Sequence, residues 1–441
     1  MQKIIIEKPY RFIPPHRGNW WPSFIQRFRL IDIYLRRSCG IGSYEVRHED
    51  RLRDSLKAGH GILLTPNHCR PCDPVALGWL AREVQTHVYA LASWHLFHQD
   101  RFTAFAIHKM GGFSIYREGL DRQALETAVD VLAQAERPLI LFPEGAVTRT
   151  NDKLSALLDG VAFIARTAAK KREKHASSGK VVVHPVAIKY LFRGDLLQTL
   201  DPVLSEIEAR FSWRPQLDLP LMHRVRKLGY GLLALKEIQY FGQPQVGKLS
   251  VRLQALIDQL LHPIEQEWMG GSQSGAIVPR IKALRMKILP EMIRGELTPD
   301  ERARRWRQLE DIYLSQQVYS YPPDYLTQNP SVDRLLETVE RYEEDLTDRV
   351  RVHGNLHAVI DVGEAIEVEA RRDRHALVDP LMTQIEQTLQ RMLDHLARES
   401  RTWQEHHPQD ATTHRPSNDS VDDPVNAHVQ VREATAAHGA D

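Results

Sequence analysis

Through the first 200 residues, short apolar runs bounded by glycine or proline alternate with amphipathic stretches. Residues 62–64, between Gly61 and Pro66, read as a buried strand. Further apolar runs follow Gly111-Gly112 and Pro138, and residues 181–190 form a Val/Ile-rich strand interrupted by Pro185. Proline cannot donate to a ladder, so that last strand is expected at an edge or at a bulge. Asp73-Pro74 opens a helix, with Asp at the N-cap and Pro at the first helical position. From about residue 202 the period changes to that of helices, predicted over 221–241, 247–268, 276–294, 298–319 and 331–349. Pro244, Gly270-Gly271, Pro290 and Pro322-Pro323 punctuate them. A strand, a glycine turn and a short extension return at 355–368. Asp379-Pro380 then caps a helix over 381–397, with Leu381, Ile385, Leu389 and Leu393 spaced by four. Beyond Thr402 the periodicity ends.

Candidate chemistry sits where strands end. Asn67 and His68 follow the first strand, and Asp73 stands five residues after the histidine. Taken alone, Asp73 could serve only as a cap and His68 only as a strand end. A tight loop could also fold the carboxylate onto the ring, fixing its tautomer and stabilising its protonated form, as a general base for a hydroxyl requires. Gly111 stands six residues before Arg117, whose guanidinium could hold a phosphate as a fork of donors. Phe142-Pro143-Glu144-Gly145 ends the run after Pro138 in a sharp turn that presents a carboxylate, and Arg149 follows. His184, beside Pro185, is assigned no chemistry.

These four segments together resemble the glycerolipid acyltransferase superfamily, the glycerol-3-phosphate and 1-acylglycerol-3-phosphate O-acyltransferases. The Asn-His-x4-Asp block is matched by Asn67, His68 and Asp73, and the glycine–arginine block by Gly111 and Arg117, with Ser114 where a bulky apolar residue is usual. Phe142, Pro143, Glu144 and Gly145 match the third block, and residues 183–188 the fourth. The resemblance implies an α/β fold, a mixed sheet flanked by helices, here with a large helical insertion. It implies His68 as general base, Asp73 as its orienting partner, and Asn67, Gly111, Arg117, Phe142, Pro143, Glu144 and Gly145 as substrate-binding positions. It also implies an acyl thioester donor, on coenzyme A or acyl carrier protein, a lipid acceptor, and no cofactor or metal. One departure stands out: the arginine usual two residues after the glutamate-glycine pair is replaced by Val147, and Arg149 is displaced by two positions. The acceptor is therefore open among 1-acylglycerol-3-phosphate, another lysophospholipid, dihydroxyacetone phosphate and a non-phosphate alcohol. A catalytically silent membrane scaffold is a further alternative, and an intact His68, Asp73 and Glu144 argue against it.

The expected organisation is a membrane-proximal segment at 1–45, the acyltransferase domain at 46–201, the helical insertion at 202–352, a closing strand and helix at 353–402 and a disordered tail at 403–441. A net charge of +1 gives no reason to expect nucleic acid. Residues 1–60 nonetheless hold 12 Lys/Arg against 6 Asp/Glu, which suits an anionic lipid surface. Three cysteines argue against a disulfide framework, and Cys69 and Cys72 have no second ligand pair for a metal. No secretory signal and no run of about 18 apolar residues is visible, so the chain is expected in the cytoplasm, peripheral on the inner face of a membrane. Ser23 is expected to cap a helix with Phe24, Phe28, Ile31 and Leu35 on one face, preceded by Trp20-Trp21 and laced with arginines. That face fits either a bilayer or the protein's own core. Residues 221–235, basic at one end and apolar at the other, are a second membrane or acyl-chain candidate.

Overall fold

Among the described residues, the apolar runs of the sequence become eight strands of one mixed sheet: β1 (Ile41–Arg47), β2 (Gly61–Pro66), β3 (Tyr89–Ser93), β4 (Gly112–Ile115), β5 (Leu139–Ile140), β6 (Val181–Phe192), β7 (Leu356–Val362) and β8 (Ile366–Glu367). The computed structural model describes residues 5, 7–175, 179–326, 329–372, 375–376 and 378–406. Strand order is β1-β7-β6-β2-β5-β3-β4, with β8 on β6. From β6 to β4 every neighbour is parallel, whereas β7 and β8 run antiparallel to β6. The expected mixed sheet with flanking helices is the observed architecture. All six residues of β2 and all twelve of β6 are buried, as sheet strands covered on both faces should be.

One strand is not where its proline suggested. β6 lies in the middle of the sheet, not at an edge. Pro185 is accommodated because β8 pairs with Val182 and Val183 while β7 begins pairing only at Val186. Pro185 therefore faces the turn joining β7 to β8, and its carbonyl accepts from Gly363 N at 2.7 Å. His184 beside it is spent on structure, with Nε2 2.8 Å from Ser55 Oγ and Nδ1 2.9 Å from Gly363 O.

Helices α1 (Trp20–Arg27) and α2 (Leu30–Cys39) replace the single N-terminal helix expected from residue 23. Arg29 adopts a left-handed φ of 52°, which breaks the helix and splits its apolar face. Ile31 and Leu35 turn into the core while Trp20 and Phe28 stay 64% and 61% exposed. Ser23 lies inside α1 and bonds His87 Nε2 rather than capping. Then come α3 (Glu49–Lys57), α4 (Asp73–Glu83), α5 (Arg101–Lys109), α6 (Arg122–Gln134) and α7 (Gly160–Lys174). The expected domain start at 46 falls inside β1. Preceding α1, the chain runs beside β4. Ser114 N donates to Ile13 O at 3.0 Å, Ile13 N donates to Ser114 Oγ at 2.8 Å, and Tyr10 stacks on Tyr116. Ser114, the polar departure noted in the sequence, anchors this segment.

The chain divides into two compact units. The first, carrying the sheet, runs to Gly194 and also takes Ser274–Trp306 and Gly354–Ser400; the second holds Asp195–Gln273, Arg307–His353 and the described residues from Arg401. Helices α8 (Leu196–Arg210), α9 (Leu221–Phe241) and α10 (Leu249–Met269) open the second unit. α11 (Ile277–Arg294) belongs to the first, so the expected insertion 202–352 does not stay together. α12 (Pro299–Tyr319) contains the division, and α13 (Val332–Thr347), α14 (Pro380–Ala397) and α15 (Trp403–His406) follow among the described residues. Trp403 is buried and helical where the tail was expected to begin, and the rest of that expected tail, 407–441, lies outside the described residues.

Within the second unit, one device recurs. Arg224, near the start of α9, donates from Nε to Glu208 of α8 at 3.0 Å, and Gln216 N donates to the same carboxylate. Arg252 repeats the contact with Glu237 at 2.9 Å, again with a backbone donor eight residues after the glutamate, Gln245 N. Glu265 takes Gln273 N in the same way. The pattern returns about every 28 residues, the signature of a tandem helical repeat.

Candidate active site at the strand ends

β6 extends past the last residue of β2, because the register pairs Pro66 with Val186. The overhanging part of β6 receives the loop that follows β2. Asn67 uses both halves of its amide there: Nδ2 donates to Ile188 O at 3.0 Å and Oδ1 accepts from Ile188 N at 2.7 Å. Expected as a substrate contact, Asn67 is instead a brace that fixes where the next residue emerges.

That residue is His68. Its Nδ1 lies 2.9 Å from Asp73 Oδ2, and its ring stacks on Phe142 with centroids 4.0 Å apart. The His68 side chain keeps 15% exposure while that of Asp73 has none. With Asp73 at Nδ1, the Nε2 lone pair is the one available to take a proton. Asp73 begins α4, yet its carboxylate turns back rather than capping the helix. Besides His68 it accepts from Arg70 N at 2.8 Å and from the Tyr190 hydroxyl at 2.7 Å. Burial, with Asp73 next to it, pushes the Tyr190 phenol well above its ordinary value, so it stays an O–H donor.

Glu144 is 2% exposed, and both of its oxygens are taken by backbone amides: His68 N at 2.7 Å and Ser155 N at 2.8 Å. Burial lifts its pKa to about 7 against the opposing pull of those two amides. Its expected contact with acceptor hydroxyls is therefore replaced by a structural one. Glu144 clamps the His68 backbone, as Thr148 does from the other side by donating from N and Oγ1 to His68 O at 2.8 and 3.1 Å.

Gly145 turns the chain with φ +70°, and a side chain there would collide with Leu158. Its carbonyl accepts from Arg117 Nη2, joining the second and third sequence blocks. Pro143 is buried, and its carbonyl accepts from Leu158 N at 2.8 Å. Arg117 leaves the carboxyl end of β4 partly buried, and that burial pushes its guanidinium below its ordinary value. Arg149 follows Thr148 in a left-handed conformation, φ 59°. Gly111 stands apart: it precedes β4 at the amino end, where φ +94° and the nearby Val88 carbonyl require glycine. Its place is steric and lies away from the carboxyl ends.

The structure thus gathers Asn67, His68, Asp73, Phe142, Glu144, Gly145 and Arg117 at the carboxyl ends of parallel strands, where open α/β sheets bind ligands. It adds three residues that the sequence reading left unassigned: Thr148, Ser155 and Tyr190. The signal for Tyr190 was available in the alternation of β6, which puts it on the same face as Val186 and Ile188, beyond the reach of β2. A histidine oriented by a buried carboxylate, with one ring nitrogen open, can take a proton from a hydroxyl and return it to a leaving group. The family model described as Acyltransferase matches residues 44–189, which include all of these positions except Tyr190, just past its end. No curated protein matches the chain.

Proposed function

We propose, from the acyltransferase family to which residues 44–189 belong, that this protein moves a fatty acyl group from an acyl thioester to a hydroxyl of a glycerophospholipid precursor. The acceptor of this reading is 1-acylglycerol-3-phosphate and the product is phosphatidic acid. The observation that carries it is the His68–Asp73 contact of 2.9 Å, with the ring braced by Phe142 and partly open. His68 Nε2 takes the acceptor hydroxyl proton as the oxygen attacks the thioester carbonyl carbon. The tetrahedral oxyanion collapses, the C–S bond breaks, and the thiolate of coenzyme A or acyl carrier protein leaves with the proton held by the imidazolium. Asp73, itself fixed by Tyr190 and Arg70 N, stabilises that imidazolium. No acyl-enzyme forms. Such a base supplies about 10²–10⁴-fold, and the remainder comes from positioning and from donors near the oxyanion. Arg117 holds the acceptor phosphate in this reading, with Arg149 as a second candidate.

The work takes place from the cytoplasm at the inner face of a membrane, with the protein docked peripherally. Among the described residues no helix is long and apolar enough to cross a membrane. What supports docking is the outward aromatic group of α1 and α5: Trp20 stacks on Phe24, and Trp21 meets exposed Phe105 at 5.1 Å. Replacing Trp20 and Phe28 together by alanine should abolish cosedimentation with anionic vesicles; retained binding would remove this dock.

A matrix of acceptors against donors tests the chemistry, with each pair assayed on anionic vesicles. Highest kcat/KM with 1-acylglycerol-3-phosphate is expected. A better phosphate-free acceptor would overturn the phosphate role of Arg117, and inactivity of the wild type across the matrix would favour a silent scaffold.

A further inference from the structure

β2 pairs with β6 only as far as Val186, so the backbone groups of Ile188 and Tyr190 must find other partners along that edge. Asn67 supplies the first two bonds, to Ile188 N and O. Asn151 supplies the next two. Its Nδ2 donates to Tyr190 O at 2.6 Å, and its Oδ1 accepts from Tyr190 N at 2.8 Å. The residue is fully buried. Two asparagine amides thus stand where a neighbouring strand would have run, each making the donor–acceptor pair that a strand residue makes.

The two amides carry different loops. Asn67 fixes the loop of His68, and Asn151 fixes the segment 148–155 that supports it. At one end of that segment Thr148 grips His68 O from both N and Oγ1, and Thr150 Oγ1 donates to Thr148 Oγ1 at 3.1 Å. At the other end Ser155 N donates to Glu144, whose second oxygen holds His68 N. Asp152 adds a buried ion pair with Lys189 at 3.3 Å, on the face of β6 opposite the Tyr190 side chain. The Tyr190 hydroxyl in turn donates to Asp73 at 2.7 Å. One amide therefore joins the support of the ring's partner to the grip on the ring's own backbone.

We propose that Asn151 is a positioning residue for acyl transfer. By holding Tyr190 and the segment 148–155 in one register on β6, it keeps the His68 ring, Asp73 and the backbone that presents the ring aligned for proton removal. It touches no reacting atom. The inference rests on the reading of His68 as general base given above, and it needs no choice among acceptors. Misplacing a catalytic group by about 1 Å can cost on the order of 100-fold, which is the scale at which such a brace acts.

The test uses the full chain and two readouts. The first is kcat and KM with the acceptor and thioester that the wild type uses best. The second needs no substrate: the proton NMR signal of His68 Nδ1–H, assigned by its loss in His68→Ala. Asn151→Ala should lower kcat roughly 10–100-fold, leave both KM values nearly unchanged, and shift or broaden that signal. A residue that only stabilises the fold would lower the thermal midpoint yet leave kcat per folded molecule and the signal as they are. Because Asn151 acts through Thr148 and Tyr190, its effect on kcat should shrink when Thr148→Val or Tyr190→Phe is already present, whereas independent effects would multiply. Thr148→Val, which removes the hydroxyl grip on His68 O, keeps the test open should Asn151→Ala fold poorly; it should lower kcat severalfold with KM held and the signal moved. An unmoved signal, an unchanged kcat in an active enzyme, or multiplying effects would overturn the role. A wild type inactive with every acceptor, whose signal still moves in Asn151→Ala, would sink the acyl-transfer reading and leave the brace standing.

Discussion

Two buried carboxylates from each unit keep opposite company, although the sheet unit also pairs buried Asp152 with Lys189. In the helical unit, Glu208 and Glu237 each meet an arginine guanidinium and a backbone amide, so a full positive charge cancels each negative one. In the sheet unit, Glu144 meets only neutral amides and Asp73 meets an imidazole, a phenol and an amide. Burial alone does not mark the site, since all four are nearly inaccessible. The partner decides. A carboxylate cancelled by arginine fixes how one helix follows the next, whereas one held by neutral donors beside a titratable ring sits where a proton can move.

The contrast can be broken in order of expected effect. His68→Ala should lower kcat by about 10²–10⁴-fold while leaving the thermal midpoint in place; near-normal turnover would remove the ring from the chemistry. Arg252→Met should behave conversely, costing about 3–5 kcal/mol in denaturant unfolding by stranding Glu237, and adding Glu237→Leu should recover most of that loss. A double variant as unstable as the single one would show that the pair is not a mutual latch.

Glu144→Gln comes next. Its amide group must face one of two backbone N–H donors, a mismatch of about 1–3 kcal/mol, and turnover should fall as the His68 backbone shifts. The same residue sets a pH dependence. Its folded value of about 7 lies above the ordinary 4.5, so the folded chain keeps a proton that the unfolded chain releases. Its contribution to stability is therefore full at low pH and declines as pH rises from about 4.5 to about 7. Denaturant midpoints of wild type and Glu144→Gln measured across that window should converge toward high pH; parallel curves would contradict it. The smallest effect belongs to Tyr190→Phe, which deletes one bond to Asp73. About 1 kcal/mol of stability and a severalfold drop in kcat are expected, and an unchanged kcat would leave Tyr190 a packing residue.

Much of this was legible before any coordinates. The helices of 221–349 begin and end within a few residues of expectation, because Pro220, Gly242, Gly270 and Gly295 stand at their ends, whereas Pro290, expected to punctuate them, lies inside α11. His68 and Asp73 were legible because a short loop leaves few ways to place them. What stayed hidden depended on partners far along the chain. Nothing local reveals that Pro185 falls opposite the gap between β8 and β7, or that Arg29 breaks the first helix so that Phe28 and Ile31 part company. Asn67 and Glu144 looked like substrate contacts, and only the overhang of β6 and the position of Ser155 turn them into braces. The arginine–glutamate latches also escaped notice, since their period lies in a few buried polar positions rather than in the hydrophobic pattern. Equally, α11 gives no local sign that it joins the sheet unit.

The stitching of Ile13 to Ser114 has a consequence for solubility. β4 is the last strand of the sheet, and a bare rim of amides and carbonyls invites a neighbouring molecule to add a strand of its own. By laying its own leading residues over that rim, the chain denies the place to others. Removing residues 1–18 should therefore promote self-association before it harms catalysis, visible as oligomers in light scattering from an otherwise folded protein.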